Sequence, residues 1–105
     1  MDNKTKSVIV SDVKIKGNIT EKGSIIIDGE VNGNINAELV ETLENSHIKG
    51  NIKSKKTFIS GKLKGDIDSD SVHIRKTADV DGTIKQKTLS IEEGSLLTIK
   101  TEIKK

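Results

Sequence analysis

A seven-position pattern recurs along this chain: small residue, x, apolar, x, Gly, x, Ile. It reads Gly29-Glu30-Val31-Asn32-Gly33-Asn34-Ile35 and then Ser46-His47-Ile48-Lys49-Gly50-Asn51-Ile52. It returns as Gly61-Lys62-Leu63-Lys64-Gly65-Asp66-Ile67 and Ala78-Asp79-Val80-Asp81-Gly82-Thr83-Ile84. An earlier copy, Val13 to Ile19, keeps all but the small first residue. The shared glycines Gly17, Gly33, Gly50, Gly65 and Gly82 are 16, 17, 15 and 17 residues apart. A near-constant period of this size means one structural unit, repeated and stacked on its neighbours. It argues against a single active site.

Inside each copy, apolar and polar residues alternate with period 2, the mark of a strand with one buried face. Ile15, Gly17 and Ile19 point inward in the first copy; Lys14, Lys16, Asn18 and Thr20 point outward. A second apolar cluster precedes each motif: Ile25-Ile26-Ile27, Val40 with Leu43, Phe58-Ile59, Val72 with Ile74, and Leu89 with Ile91. Its distance to the following glycine drifts by a residue or two, as loops at a corner allow. Each repeat therefore holds two or three strands of about 4 to 5 residues. No sustained helical stripe of apolar residues exists, and Leu39 to Glu44 is too short to stand alone as a helix.

Two architectures compete. An antiparallel meander would use Asp28-Gly29 or Asp81-Gly82 as hairpin turns. It gives no reason for the same face to turn inward once per period. A parallel β-helix does, because equivalent positions stack in columns. The period predicts an all-β solenoid of about six coils, about 4.8 Å apart, forming a rod near 30 Å long. Ile19, Ile35, Ile52, Ile67 and Ile84 form an interior column. Asn18, Asn34, Asn51 and Asp66 form an exterior one, where side-chain amides add hydrogen bonds. The motif glycines relieve crowding at a corner or supply positive φ.

Composition narrows the function. Of 105 residues, 31% are hydrophobic and one, Phe58, is aromatic. Such a composition approaches that of disordered chains, but disordered chains do not keep an apolar register. Lys+Arg (18) and Asp+Glu (16) nearly cancel, and without stacking aromatics there is no case for nucleic acid. Cysteine is absent, which excludes disulfides and thiolate metal sites. No stretch approaches the roughly 20 apolar residues of a membrane-spanning helix, and Met1 to Ser7 lacks a signal-like apolar run. A cytoplasmic protein is expected.

Catalytic and cofactor signals are missing as well. His47 and His73 are 26 residues apart, about one and a half coils, so they do not share a column. His47 falls outward beside Glu30 and Lys62, a solvated setting. The run Asp66, Asp68, Asp70 alternates like a calcium loop, but lacks the glycine and the distal glutamate such a loop needs. No phosphate-binding glycine loop occurs. Gly17, Gly23 and Gly29 are six apart, a spacing similar to that of hexapeptide-repeat acyltransferases, but Gly33 and Gly50 break it at once. No enzyme activity, metal or cofactor is expected.

A solenoid has two open ends, and exposed sheet edges invite pairing with another chain. One end offers Val8, Ile9 and Val10; the other offers Leu96, Leu97, Ile99 and Ile103. The motif decays in the last coil, with Thr98 in the place of glycine. Contact through such ends that does not close on itself makes a filament. The alternative is a monomer or small oligomer whose ends are covered by the termini and whose flanks bind a partner protein as an adaptor.

The residues Val13-Lys14-Ile15-Lys16-Gly17-Asn18-Ile19, the run from Gly23 to Ile35, Ser60 to Ile67, and Leu89 to Leu96 resemble the bactofilins, polymer-forming cytoskeletal proteins of bacteria. The resemblance covers about Val8 to Leu97. It implies a right-handed, three-sided parallel β-helix over residues 8–100, between a flexible N-terminal tail at 1–7 and a C-terminal tail at 101–105. It implies nucleotide-free, end-to-end assembly into non-polar filaments, head to head and tail to tail, often at the inner face of the cytoplasmic membrane. Such filaments scaffold cell shape, polarity, motility organelles or cell-wall enzymes, so cell-wall or membrane-associated proteins are the implied partners. The chain departs from the family at two places. Leu97 stands where members often carry a Phe that supports polymerisation, and it buries less area. Met1 to Ser7 is polar where many members have an apolar membrane-binding tail. Lys4 and Lys6 add about 2 kcal/mol of attraction to anionic lipid at most, so direct membrane binding is not expected.

Overall fold

The computed structural model describes residues 6–9 and 13–103, all strand or connection with no helix among them. Every strand pairing is parallel, and the pairings resolve into three ladders. The first flank stacks β2 (Lys14–Lys16), β5 (Glu30–Asn32), β8 (His47–Lys49), β10 (Lys62–Lys64) and the first halves of β12 (Asp79–Gln86) and β14 (Leu96–Ile103). The second stacks β3 (Ile19–Thr20), β6 (Ile35–Asn36), the starts of β9 (Ile52–Ile59) and β11 (Ile67–Ile74), and the ends of β12 and β14. The third stacks β1 (Lys6–Ile9), β4 (Ser24–Ile27), β7 (Leu39–Thr42), the ends of β9 and β11, and β13 (Thr88–Ile91). The described chain thus passes each of three flanks six times, with five steps between the passes. This is the parallel β-solenoid that the period implies.

The five steps span about 24 Å at a strand spacing of about 4.8 Å. The body measures 33 × 31 × 22 Å, so it is a short prism nearly as wide as it is long, not a slender rod. Strand β14 continues through Ile103, beyond the expected domain limit at residue 100. Thr101 pairs there with Ile84, and Ile103 with Gln86.

The core is a set of columns. Ile15, Val31, Ile48, Leu63, Val80 and Leu97 stack on the first flank. On the second flank, Ile19, Ile35, Ile52, Ile67 and Ile84 stack as expected, and Thr101 closes the column. Ile35 through Ile84 are buried to 1% exposure or less, so each side chain is enclosed by those above and below it. The third flank sends in Ile25, Val40, Thr57, Val72 and Leu89, with a second column holding Ile27, Ile59, Ile74 and Ile91. Thr42, not Leu43, lies opposite Ile27. Its hydroxyl donates to the Phe58 carbonyl at 3.3 Å and accepts from the Ser60 N–H at 3.1 Å, which makes a buried polar group tolerable there.

Two devices hold the corner between the first and second flanks. Inside, the motif glycines have φ between +124° and +151°. A Cβ on Gly33 would sit 2.0 Å from the Gly17 carbonyl oxygen, and one on Gly82 would sit 1.8 Å from that of Gly65. Both proposed reasons for glycine therefore act together: positive φ and a backbone stacked directly overhead. Outside, the following residue links the coils. Asn18 Oδ1 accepts from the Asn34 N–H at 3.1 Å, Asn34 Oδ1 from the Asn51 N–H at 3.1 Å, and Asn51 Oδ1 from the Asp66 N–H at 3.2 Å. Asp66 Oδ1 accepts from the Thr83 N–H at 3.2 Å. The expected exterior column exists, but each side chain bonds the backbone of the next coil.

The last coil corrects one expectation. Gly82 lies opposite Ile99, and Thr98 lies opposite Asp81 on the outside. Ile99, not Thr98, therefore occupies the glycine position. No non-glycine residue has positive φ among the described residues, so Ile99 reaches this corner with a different backbone from the glycines above it.

Candidate functional site

The outward columns of the first two flanks are polar and charged down to the last coil. Lys14, Glu30, His47, Lys62 and Asp79 line one; Asn36, Lys53, Asp68 and Lys85 line another. His47 lies between Glu30 and Lys62, while His73 lies on the third flank. Lys14 with Glu30 and Lys85 with Glu102 form ion pairs across adjacent rungs, each 3.9 Å. Such exposed pairs contribute at most about 1 kcal/mol. Among the described residues no group of three or more His, Asp or Glu side chains converges as a metal site, and no helix is long and apolar enough to cross a membrane. One surface depression lies along these charged columns, between Lys53, Asp68, Thr83 and Lys85.

Apolar side chains without partners concentrate in the last coil. Ile91 is 48% exposed and Ile103 is 79% exposed, although the residues above them, Ile74 and Gln86, are buried. Leu89, Leu97 and Ile99 pack against the core from one side only. Each is the final member of an inward column, and among the described residues nothing lies beneath them. At the opposite end Ile15 and Ile19 are half-buried in the same way, and Val13 is exposed.

The expected contact residues are placed differently from one another. Leu97 is the end of its inward column, opposite Val80, and Ile99 is at the corner opposite Gly82. Leu96, 66% exposed, lies opposite Asp79 in an outward column, so it faces sideways from the last coil. Val8, 59% exposed, lies opposite Ile26 on the third flank. Ile9 lies opposite Ile27 in the backbone register, and Val10 lies outside the described residues. The sequence reading named Ile103 at the C-terminal end but overlooked Ile91, Val13, Ile15 and Ile19 as end residues. Register could have found Ile15, Ile19 and Ile91, since each begins or ends an apolar column.

Phe58 is a second feature the sequence left unassigned. It lies on the outer surface of the third flank, where its ring stacks on that of His73, centroids 4.8 Å apart and planes 13° apart. The Arg75 guanidinium carbon lies 5.4 Å from the Phe58 centroid, and Arg75 also pairs with Glu41 at 3.8 Å. The cluster is therefore stacked and charge-paired at once.

Comparison with known proteins assigns this parallel solenoid to a family. Residues 7–102 match the model of the bactofilins, described as polymer-forming cytoskeletal. The fold is similar to the solid-state NMR structure of the cytoskeletal bactofilin BacA. That similarity has a TM-score of 0.87 and 27% identity, and covers 97% of this chain and 99% of that one. No match emerges among functionally curated proteins. The chain belongs to the bactofilin family, a structural, polymer-forming cytoskeletal family rather than an enzymatic one.

Proposed function

We propose that this protein is a cytoskeletal subunit that polymerises end to end without nucleotide or metal, and that its filaments scaffold cell shape, polarity or the placement of cell-wall and motility machinery. One observation carries the reading. Inward columns end in the apolar side chains Leu89, Ile91, Leu97, Ile99 and Ile103 in the last coil, and Ile91 and Ile103 are exposed there. Completing those columns with another copy removes apolar surface from water at about 25 cal/mol per Å². Leu97 and Ile99 would lie in that contact, with Ile15 and Ile19 in the contact at the other end. The filaments would lie in the cytoplasm, at the inner face of the cytoplasmic membrane where partner proteins place them.

Negative-stain electron microscopy of the purified protein, without nucleotide or metal, tests this. Long uniform filaments are expected. Leu97→Lys puts a charge into the end column and is expected to leave folded monomers or short oligomers. Persistent monomers of the wild-type chain at high concentration would move the reading to an adaptor that binds partners through its flanks. Long filaments in Leu97→Lys would remove Leu97 from the contact.

A further inference from the structure

The charges on the first flank are sorted by rung. Its two outward columns hold Lys14 and Lys16 in the first coil, then Glu30 and Asn32 in the second. His47 and Lys49 follow in the third, Lys62 and Lys64 in the fourth, and Asp79 and Asp81 in the fifth. Basic side chains therefore fill the third and fourth rungs, and carboxylates stand on the rungs at either side. His47, Lys49, Lys62 and Lys64 are all exposed, and they border one depression with Asp79 at its rim. None of these three lysines has an ion-pair partner among the described residues. Glu30 is turned the other way, to Lys14. Asp66, the next acid along the fourth coil, accepts from the Thr83 N–H at 3.2 Å. Asp79 and Asp81 lie opposite Lys62 and Lys64 in register but form no ion pair with them.

We propose that these two basic rungs are a docking surface for an acidic segment of another protein, bound in extended form along the strand direction with a carboxylate at every second residue. Geometry sets that chemistry. Lys62 and Lys64 are two residues apart on one face of a strand, about 6.8 Å, and the rung of His47 and Lys49 lies about 4.8 Å away. An extended chain presents alternate side chains on one face at the same repeat of about 6.8 Å. Two carboxylates of such a segment therefore meet Lys62 and Lys64 together, with Lys49 one rung above. The flanking acids set how the partner lies. A polyanion or an anionic membrane lying along the stack runs from the lysines onto Asp79 and Asp81 and is repelled there. A segment that crosses the flank stays on the basic rungs. Nucleic acid also needs a stacking platform, and the one aromatic residue, Phe58, is on the third flank. A small free anion finds no enclosed site, because all four basic side chains are exposed. Exposed ion pairs are individually weak and screened by salt, so one subunit holds the segment loosely. A partner that offers several such segments gains from a filament that repeats the rungs. The surface lies away from both ends, so it stands or falls apart from end-to-end assembly; only the gain from repetition rests on that reading.

Fluorescence anisotropy of a labelled peptide that alternates Glu with Thr, titrated with the full chain at low salt, tests this. Saturable binding that weakens as salt rises is expected. A peptide of the same composition with its Glu residues in one block should bind about threefold more weakly, and one with Lys in place of Glu should not bind. Lys62→Glu with Lys64→Glu should lose the Glu peptide and take up the Lys peptide instead, a reversal that unfolding cannot produce. If that variant does not fold, Lys62→Gln with Lys64→Gln should weaken binding about fivefold. Lys55→Gln with Lys56→Gln, at the start of the third flank, should leave it unchanged. No binding of the alternating peptide at low salt would overturn the proposal. Equal affinity for the alternating and blocked peptides would also overturn it, leaving only diffuse attraction. Vesicles containing phosphatidylglycerol that bind more tightly than the peptide, and lose that binding in Lys62→Gln with Lys64→Gln, would assign the rungs to a membrane instead.

Discussion

The middle coils and the last coil use the same strand plan with different outcomes. In the middle, every inward side chain has a neighbour above and below, and Ile48, Ile52, Leu63 and Ile67 are buried to 2% or less. The corner glycines sit directly beneath one another, and each Asn or Asp side chain ties down the next coil. In the last coil the inward columns end in Ile91, Leu97, Thr101 and Ile103, partly or largely exposed, and Ile99 replaces the glycine. The difference shows that stability in a solenoid belongs to the contact between coils rather than to the coil itself. The coil with one neighbour is the one left able to take another.

The largest effect that would test this contrast lies in the glycine stack. Gly65 has φ +143°, and a Cβ there would lie 1.9 Å from the Gly50 carbonyl oxygen. Gly65→Ala should therefore cost about 4 kcal/mol, combining backbone strain with overpacking against a backbone that cannot yield. At Gly17 a Cβ would meet nothing within 4 Å. Gly17→Ala should cost only the strain of φ +124°, about 1–2 kcal/mol. Urea unfolding midpoints of the two variants check this, and equal losses would mean that stacking adds nothing to the need for glycine.

Next come the apolar columns. Ile67→Ala removes a fully enclosed side chain and should cost about 3–4 kcal/mol. Ile103→Ala should cost less than about 0.5 kcal/mol in the unassembled chain, because the side chain is largely exposed. In the assembled protein Ile103→Ala should raise the concentration at which filaments form, which sedimentation measures. The smallest effect concerns the outer ties. Asn51→Ala removes the acceptor of the Asp66 N–H at the surface and should cost about 0.5–1 kcal/mol, since water can replace the bond. A loss above 2 kcal/mol in thermal unfolding would show that the ties act as one cooperative column.

Much of this was legible in the sequence because the motif carries a glycine at a stacked corner of positive φ in every copy from Gly17 to Gly82. Gly33 and Gly50 fixed the corner, and counting two residues in either direction placed Val31, Ile35, Ile48 and Ile52 in their columns. The third flank was less legible because the connection after it, to the next motif glycine, changes length. In a strand, a shift of one residue turns every side chain to the other face. Three consecutive isoleucines, Ile25 to Ile27, do not reveal which one faces out, and Phe58-Ile59 is equally ambiguous. Leu43 was paired with Val40 for its hydrophobicity, whereas register gives the inward place to Thr42, which succeeds there by bonding the backbone at Phe58 and Ser60. The shift of one residue at Thr98 and Ile99 has another origin. With no glycine at the corner of the last coil, the motif had lost its marker, and only pairing with β12 restored the count.

The central claim is that the last coil is completed by another copy, whereas the middle coils need nothing further. Amide hydrogen exchange, compared between the Leu97→Lys protein and wild-type filaments, tests it most directly. Protection across Leu96–Ile103 should rise at least tenfold in the filament, while that of β9 and β11 stays high in both. Equal exchange of Leu96–Ile103 in the two states would contradict the account, because filaments would then form without covering the coil that was left open.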